Sequence, residues 1–213
     1  MSRPSPTLEP HDAARLIAAR GEATPDKPKT YLDLDLLDEG VHAELVSGEI
    51  VVSPPGGADH VYATTEVAGV LSGQFGRRGL GTWWIVHEPV IRVAGDSLIP
   101  DIAGWRTSRM PGYPQRGVFT TSPDWVAEVL SPSTRRYDEQ TKLRKYLSWG
   151  VSFVWLVDPG DRHVRVFEAC DGRWTLAHDA WDDGAFVLPP FDGAPLEVGA
   201  WWVPGGSANE ETG

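Results

Sequence analysis

Apolar positions along the chain fall into two rhythms. Period-two or continuous runs mark strands, and three-or-four spacing marks helices. "AELVSGEIVVS" (43–53) places two strand-like runs around Ser47-Gly48, which predicts a tight hairpin. "TWWIVHEPVIRVA" (82–94) and "SLIPDIAGW" (97–105) are strand material broken at Gly95-Asp96, and "DWVAEVL" (124–130) is a further strand. "VSFVWLVDP" (151–159) is almost continuously apolar, as expected of a strand covered on both faces. Residues 163–179 predict a hairpin turning at Asp171-Gly172. Helical spacing sets Val61, Thr65, Ala68 and Leu71 on one face of a helix over 59–75, with Asp59 as its N-cap. A short helix is expected over 33–40, ended by Gly40. The clearest helix is "STRRYDEQTKLRKYLSWG" (133–150), where Leu143, Tyr146 and Leu147 face the core and Gly150 stops the helix. Strands 98–105, 124–130 and 151–157, with that helix between the last two, predict a mixed α/β sheet whose crossover joins parallel neighbours.

Composition bounds this picture. A chain of 213 residues with 41% hydrophobic and 23% charged positions has globular proportions. One domain over 29–203 is expected, preceded by a Pro- and Ala-rich arm (1–28) with a helical run at about 10–20, and followed by a disordered tail (204–213). No apolar run is long enough to cross a membrane. The single cysteine, Cys170, cannot form an internal disulfide, so a reducing cytoplasm is the expected setting.

Net charge is −11, which argues against indiscriminate binding to polyanions. The charge is unevenly spread: residues 158–213 hold 11 acids against 3 bases. In contrast, "RRYDEQTKLRK" (135–145) has a net charge of +3, with Arg135 and Arg136 at its head. The stretch 105–117 carries Arg106, Arg109 and Arg116 without an acid, interleaved with Trp105 and Tyr113. Either stretch could be an ordinary solvated surface, or a place where phosphates are held and bases stacked.

Two carboxylates break the apolar pattern. Asp101 follows Pro100 between Ile99 and Ile102, and Glu128 lies between Ala127 and Val129. Burying a charge among apolar neighbours is costly, so each is either at an exposed strand end or held there for chemistry. If their strands are neighbours the acids meet, and they repel unless protonated or bridged by a cation. Mg²⁺ suits the bridge: it takes oxygen ligands, often only one or two carboxylates, and keeps water for the rest of its shell. Lys142 stands at the edge of the core-facing helical stripe. It is either a solvated helix lysine or a group that reaches back to the acids to orient water and offset charge on phosphorus.

"IPDIAGW" followed by "WVAEVLSPSTRRYDEQTKLRKYLSWGVSFVWLVDP" resembles the PD-(D/E)xK nuclease superfamily, and more narrowly the Uma2 family of restriction-endonuclease-like proteins. "ELVSGEIVVSPP" and the following His60 are similar to that family's N-terminal signature, and the likeness spans roughly residues 31–170. It implies a restriction-endonuclease-like mixed sheet flanked by helices, with extra β-hairpins. It also implies an Mg²⁺-dependent endonuclease, with Mn²⁺ as a substitute, that hydrolyses phosphodiester bonds in nucleic acid, DNA above RNA. The metal ligands implied are Asp101 and Glu128. In the superfamily pattern a lysine lies two residues after the acid, where this chain has Leu130; the resemblance implies that the lysine has moved to the helix, as Lys142. Glu44 corresponds to the early acid of the pattern. His60 either orients water or phosphate, or is a plain loop histidine. A homodimer would suit cutting two strands. The alternatives are a nuclease-fold binding or regulatory protein without turnover, and a hydrolase of small phosphoesters.

Overall fold

The computed structural model describes residues 27–38 and 40–204. The helical run expected at about 10–20, nearly all of the 1–28 arm and the tail beyond 204 lie outside them. The chain divides into two compact units, one running to Pro55 and including Ala94–Leu98, the other formed by Gly56–Val93 and Ile99 onward.

The first unit is built on a hairpin. Strands β1 (Ala43–Val46) and β2 (Glu49–Val52) pair antiparallel, and Ser47 and Gly48 turn between them with φ of 53° and 81°. Positive φ at both central positions matches the twist of the flanking strands, which is why Ser-Gly serves here. Ser97, in the short strand β5 (Asp96–Leu98), pairs with Leu45 of β1. The Asp96 carboxylate accepts the Ser47 N–H at 2.6 Å, and Tyr31 donates its hydroxyl to the Asp96 carbonyl at 3.0 Å. The helix expected over 33–40 is instead a single turn, α1 (Tyr31–Leu34). Its start is set by Thr30, whose N–H and hydroxyl both donate to the Asp33 carboxylate (2.8 and 2.9 Å). It stops early because Leu32 and Leu36 are 76% and 82% exposed and bury nothing against the hairpin.

The second unit contains a six-stranded mixed sheet. Its strands are β3 (Trp83–His87), β6 (Ile102–Arg106), β8 (Trp125–Val129), β9 (Phe153–Asp158), β10 (His163–Cys170) and β11 (Arg173–Trp181), in the order β11-β10-β9-β8-β6-β3. Only β8 and β9 are parallel, and the chain between them is the helical crossover; the other pairs are antiparallel. The β10–β11 turn at Asp171-Gly172 (φ 50° and 73°) is where the sequence places it. Two short strands, β4 (Val90–Val93) and β7 (Val118–Phe119), pair parallel. Helix α2 (Ala58–Gln74) lays Ala63, Val67 and Leu71 on the sheet. Its N-cap is Gly57, the last extended residue, so Asp59 sits inside the first turn and favours the helix through its charge near the positive end.

Two further expectations are corrected. The stretch 98–105 is not one strand, because β5 ends at Leu98 and β6 begins at Ile102. Pro100 has no N–H to give a ladder, so the chain changes course there and Asp101 becomes the residue at the mouth of β6. The helix over 133–150 is not uniform. One α-turn, α3 (Arg135–Tyr137), leads into a π-helical turn (Asp138–Lys142) and then into α4 (Leu143–Ser148). The Leu143 N–H reaches back to the Asp138 carbonyl, five residues earlier. Gly150, at φ 77°, ends the helix as expected.

The core between α2 and the sheet is aromatic. Phe191 is fully buried, and its ring lies 4.9–5.0 Å from those of Phe75, Trp83 and Trp125 and 5.4 Å from that of Trp155. Seven of the ten tryptophans are buried, so their main work is packing. Gly104 makes the packing possible, since a Cβ there would stand 3.0 Å from the Trp125 ring and 3.2 Å from that of Trp83. Phe191→Ala is expected to destabilise the chain by about 3–5 kcal/mol, through lost burial and the cavity left among four rings. The check is urea unfolding followed by tryptophan fluorescence.

Candidate active site

Strand alternation decides what faces what. In β8, Trp125, Ala127 and Val129 point into the aromatic core, which leaves Val126 and Glu128 on the opposite face. The crossover helices cover that face. In β6, Ile102 is paired with Ala127 and shares its core, so Asp101, one step earlier, comes level with Glu128 on the other face. The strand pairing thus brings together the two acids singled out in the sequence, 27 positions apart.

Each acid is held by specific partners. One oxygen of Asp101 accepts the backbone N–H of Val129 at 2.7 Å, satisfying a donor at the end of the β6–β8 ladder. Its other oxygen is 3.1 Å from Nε2 of His60, a first-turn residue of α2. Gly56 leaves room for that ring: a Cβ at Gly56 would lie 2.3 Å from His60 Nδ1. Glu128, only 1% exposed, receives Lys142 Nζ at 3.1 Å on one oxygen and the Tyr146 hydroxyl on the other. Lys142 is 6% exposed, and its ammonium is also 3.3 Å from the carboxylate of Asp138, itself 2% exposed. The Tyr137 ring lies 5.6 Å from the same ammonium.

Asp138 and Tyr146 are the members of this constellation that sequence reasoning missed. They stand four residues either side of Lys142, a spacing readable as a stripe, but Asp138 was counted with a charged surface run and Tyr146 with the apolar core. The π-turn carries both Asp138 and Lys142 inward. Turns of this kind often occur at functional sites.

The electrostatics follow from burial and pairing. Burial pushes Glu128 well above the usual carboxylate range; Lys142 and the Tyr146 hydrogen bond oppose it, while Asp138 and Asp101 add to it. Asp138 is likewise raised by burial, against the pull of Lys142 and of the Thr134 hydroxyl. Asp101 goes the other way. Burial would raise it, but the His60 hydrogen bond and charge, with Lys142 and the Val129 N–H, outweigh burial and hold it low. His60 is raised because its pairing with Asp101 outweighs its own burial. The two carboxylates therefore differ in character: Asp101 is ionised and 17% exposed, while Glu128 is buried and reluctant to ionise. Solvent and solutes reach the group from the side of Asp101 and His60.

The remaining candidates are Glu44 and five arginines. Glu44 belongs to the first unit, buried in β1 opposite Val51. Arg106 ends β6, about 15 Å along the strand from Asp101, with its guanidinium 4.6 Å from the Trp83 ring. Arg109 pairs with Asp124 at 3.0 Å and donates to the Ser122 carbonyl. Arg116 is exposed in the loop between β6 and β7. Arg135 and Arg136 form the helical turn just ahead of Asp138; Arg135 pairs with Asp158, and Arg136 is exposed beside Gln140.

The His60–Asp101 pair makes stability depend on pH. His60 titrates higher in the folded chain than its unfolded value of 6.5, so its contribution is complete below pH 6.5 and is lost as pH rises through the folded value. His60→Gln is therefore expected to cost about 1–2 kcal/mol in acid solution. The cost should shrink as pH is raised past the folded value, which denaturant titrations of both proteins at pH 5.5 and 8.5 will measure.

Two acids thus meet beside a lysine on adjacent strands of a mixed sheet. A solved structure, a "putative nuclease belonging to DUF820" from Anabaena variabilis, matches with a TM-score of 0.66 at 22% identity, covering 82% of this chain and 99% of that one. That likeness establishes the fold. No curated protein matches the chain. Residues 28–191 match the family Uma2, described as "Putative restriction endonuclease", and the chain belongs to that family.

Proposed function

We propose that this protein is a divalent-metal-dependent endonuclease that hydrolyses phosphodiester bonds in nucleic acid, DNA being the substrate expected first. The observation that carries the reading is the meeting of Asp101 and Glu128 on one face of neighbouring strands, with Lys142 against them. Family membership and the fold support it.

Among the described residues, no three His, Cys, Asp or Glu side chains are gathered into a ready-made cage. The set that exists is two carboxylates, open to solvent at Asp101. That suits a hard cation such as Mg²⁺, with Mn²⁺ in its place, which keeps part of its water shell. Asp101 and Glu128 would hold it. Once bound, such an ion supplies a hydroxide-like water at neutral pH and offsets charge on the phosphoryl oxygens.

The chain's own groups supply the rest. Asp101, kept ionised by His60 and the Val129 N–H, presents a permanent negative charge at the solvent side of the site. Tyr146 and Lys142 fix the Glu128 carboxylate from two directions, so its orientation is set before any ligand arrives. The Lys142 ammonium places a positive charge where negative charge builds on phosphorus during in-line attack. His60 can hand a proton to, or orient, a water beside Asp101. Arg136, exposed two residues ahead of Asp138, would hold a flanking phosphate.

Asp101→Asn and Glu128→Gln, which keep size and one acceptor oxygen, are each expected to lower metal-dependent cleavage by about 10²-fold or more while the circular dichroism spectrum is unchanged. The measurement is a cleavage screen over single- and double-stranded DNA and RNA with Mg²⁺ and Mn²⁺. Wild-type rates in both variants would falsify the assignment. Binding of nucleic acid without turnover in either metal would move the protein to a binding or regulatory role.

A further inference from the structure

The acids of the site already have a cation. The Lys142 ammonium lies 3.1 Å from Glu128 and 3.3 Å from Asp138, almost out of contact with water, and it also feels the charge of Asp101. A compact, strongly hydrated point charge is seldom placed this deep unless acids surround it. We propose that Lys142 is a resident counter-ion, which a divalent cation has to displace from Glu128 before it can bind, and that Asp138 is the positioning residue onto which the ammonium withdraws. This rests on the metal-dependent reading above and adds to it the way the site changes occupant.

The geometry supports an exchange over a small distance. Glu128 and Asp138 hold the same nitrogen at nearly equal lengths, so a move of Nζ by a fraction of an ångström trades one partner for the other. The Tyr146 hydroxyl stays on the far oxygen of Glu128 and keeps the carboxylate aimed as its other oxygen is vacated. Tyr137, 5.6 Å from the ammonium, gives it an aromatic face at the Asp138 end. Without Asp138, the displaced ammonium would have to be buried unpaired or expelled to solvent, and either cost would be charged against metal binding.

Competition and ligation make opposite forecasts, which calorimetric titration with Mn²⁺ separates without any need for cleavage. Lys142→Met removes the competitor and is expected to bind Mn²⁺ about tenfold more tightly than wild type. Asp138→Asn, which strands the ammonium on Glu128, is expected to bind it several-fold more weakly. In the Lys142→Met background Asp138→Asn should then have no effect, because Asp138 acts only through the lysine. Weaker binding by Lys142→Met than by wild type overturns the proposal while leaving metal dependence intact. An equal penalty from Asp138→Asn in both backgrounds makes Asp138 a ligand and overturns its positioning role. Absence of Mn²⁺ binding in all four proteins removes the metal-dependent reading as well.

Should Lys142→Met not fold, the wild-type chain gives the answer. The side-chain ¹⁵N resonance of Lys142, assigned by its loss in Lys142→Arg, is expected to shift on Mg²⁺ addition with the midpoint of the calorimetric isotherm. An unmoved resonance at saturating Mg²⁺ overturns the displacement.

Discussion

Two acids can sit between the sheet and its crossover helix only because an ammonium sits with them. Glu128 and Asp138 are each almost wholly shielded from water, and ionising either alone there would cost several kcal/mol. Lys142 lowers that cost for both at once. The β8 strand, the π-turn and α4 are therefore linked by charge as well as by packing. Removing one partner leaves the others worse off than if the group had never been assembled. The arrangement favours specificity of position over stability, since an apolar trio of the same size would cost less to bury.

The two ends of the site are tuned in opposite directions by ordinary means. Asp101 lies where β6 begins, because Pro100 ends the preceding run. There it meets a backbone N–H and an imidazole, both of which favour its anion. Glu128, level with it on the neighbouring strand, is almost wholly buried, and burial favours the neutral acid. A pair of carboxylates thus acquires one member whose anion is favoured and one whose charge depends on the cations beside it. That asymmetry comes from strand register and the placement of a proline.

Much of this was legible in the sequence, and the rest was hidden for physical reasons. Hairpins at Ser47-Gly48 and Asp171-Gly172 were readable because left-handed turn positions restrict which residues can sit there. The parallel crossover was readable because "VSFVWLVDP" is apolar on both faces. Asp101 and Glu128 were readable because acids are conspicuous among apolar neighbours. The break between β5 and β6 was not, since Leu98, Ile99 and Ile102 have the same hydrophobicity whichever sheet they join. Asp138 was lost among the charges of "RRYDEQTKLRK", where composition suggests a solvated surface, and only the fold shows which of those charges turns inward. Asp59 looked like a cap because its type suits one, while the backbone places the last extended residue two positions earlier, at Gly57.

The π-turn also preserves the phase of everything that follows it. A wide turn takes up one more residue than an ordinary helix would over the same rise. Because the extra residue is absorbed within that one turn, excising a residue between Asp138 and Lys142 would let the turn tighten to the common form while Leu143 and Tyr146 kept their faces. The same deletion in an ordinary stretch of the helix would wheel every downstream side chain by about 100°. The wide turn is thus a place where the crossover can lose a residue without turning the rest of the helix off the sheet.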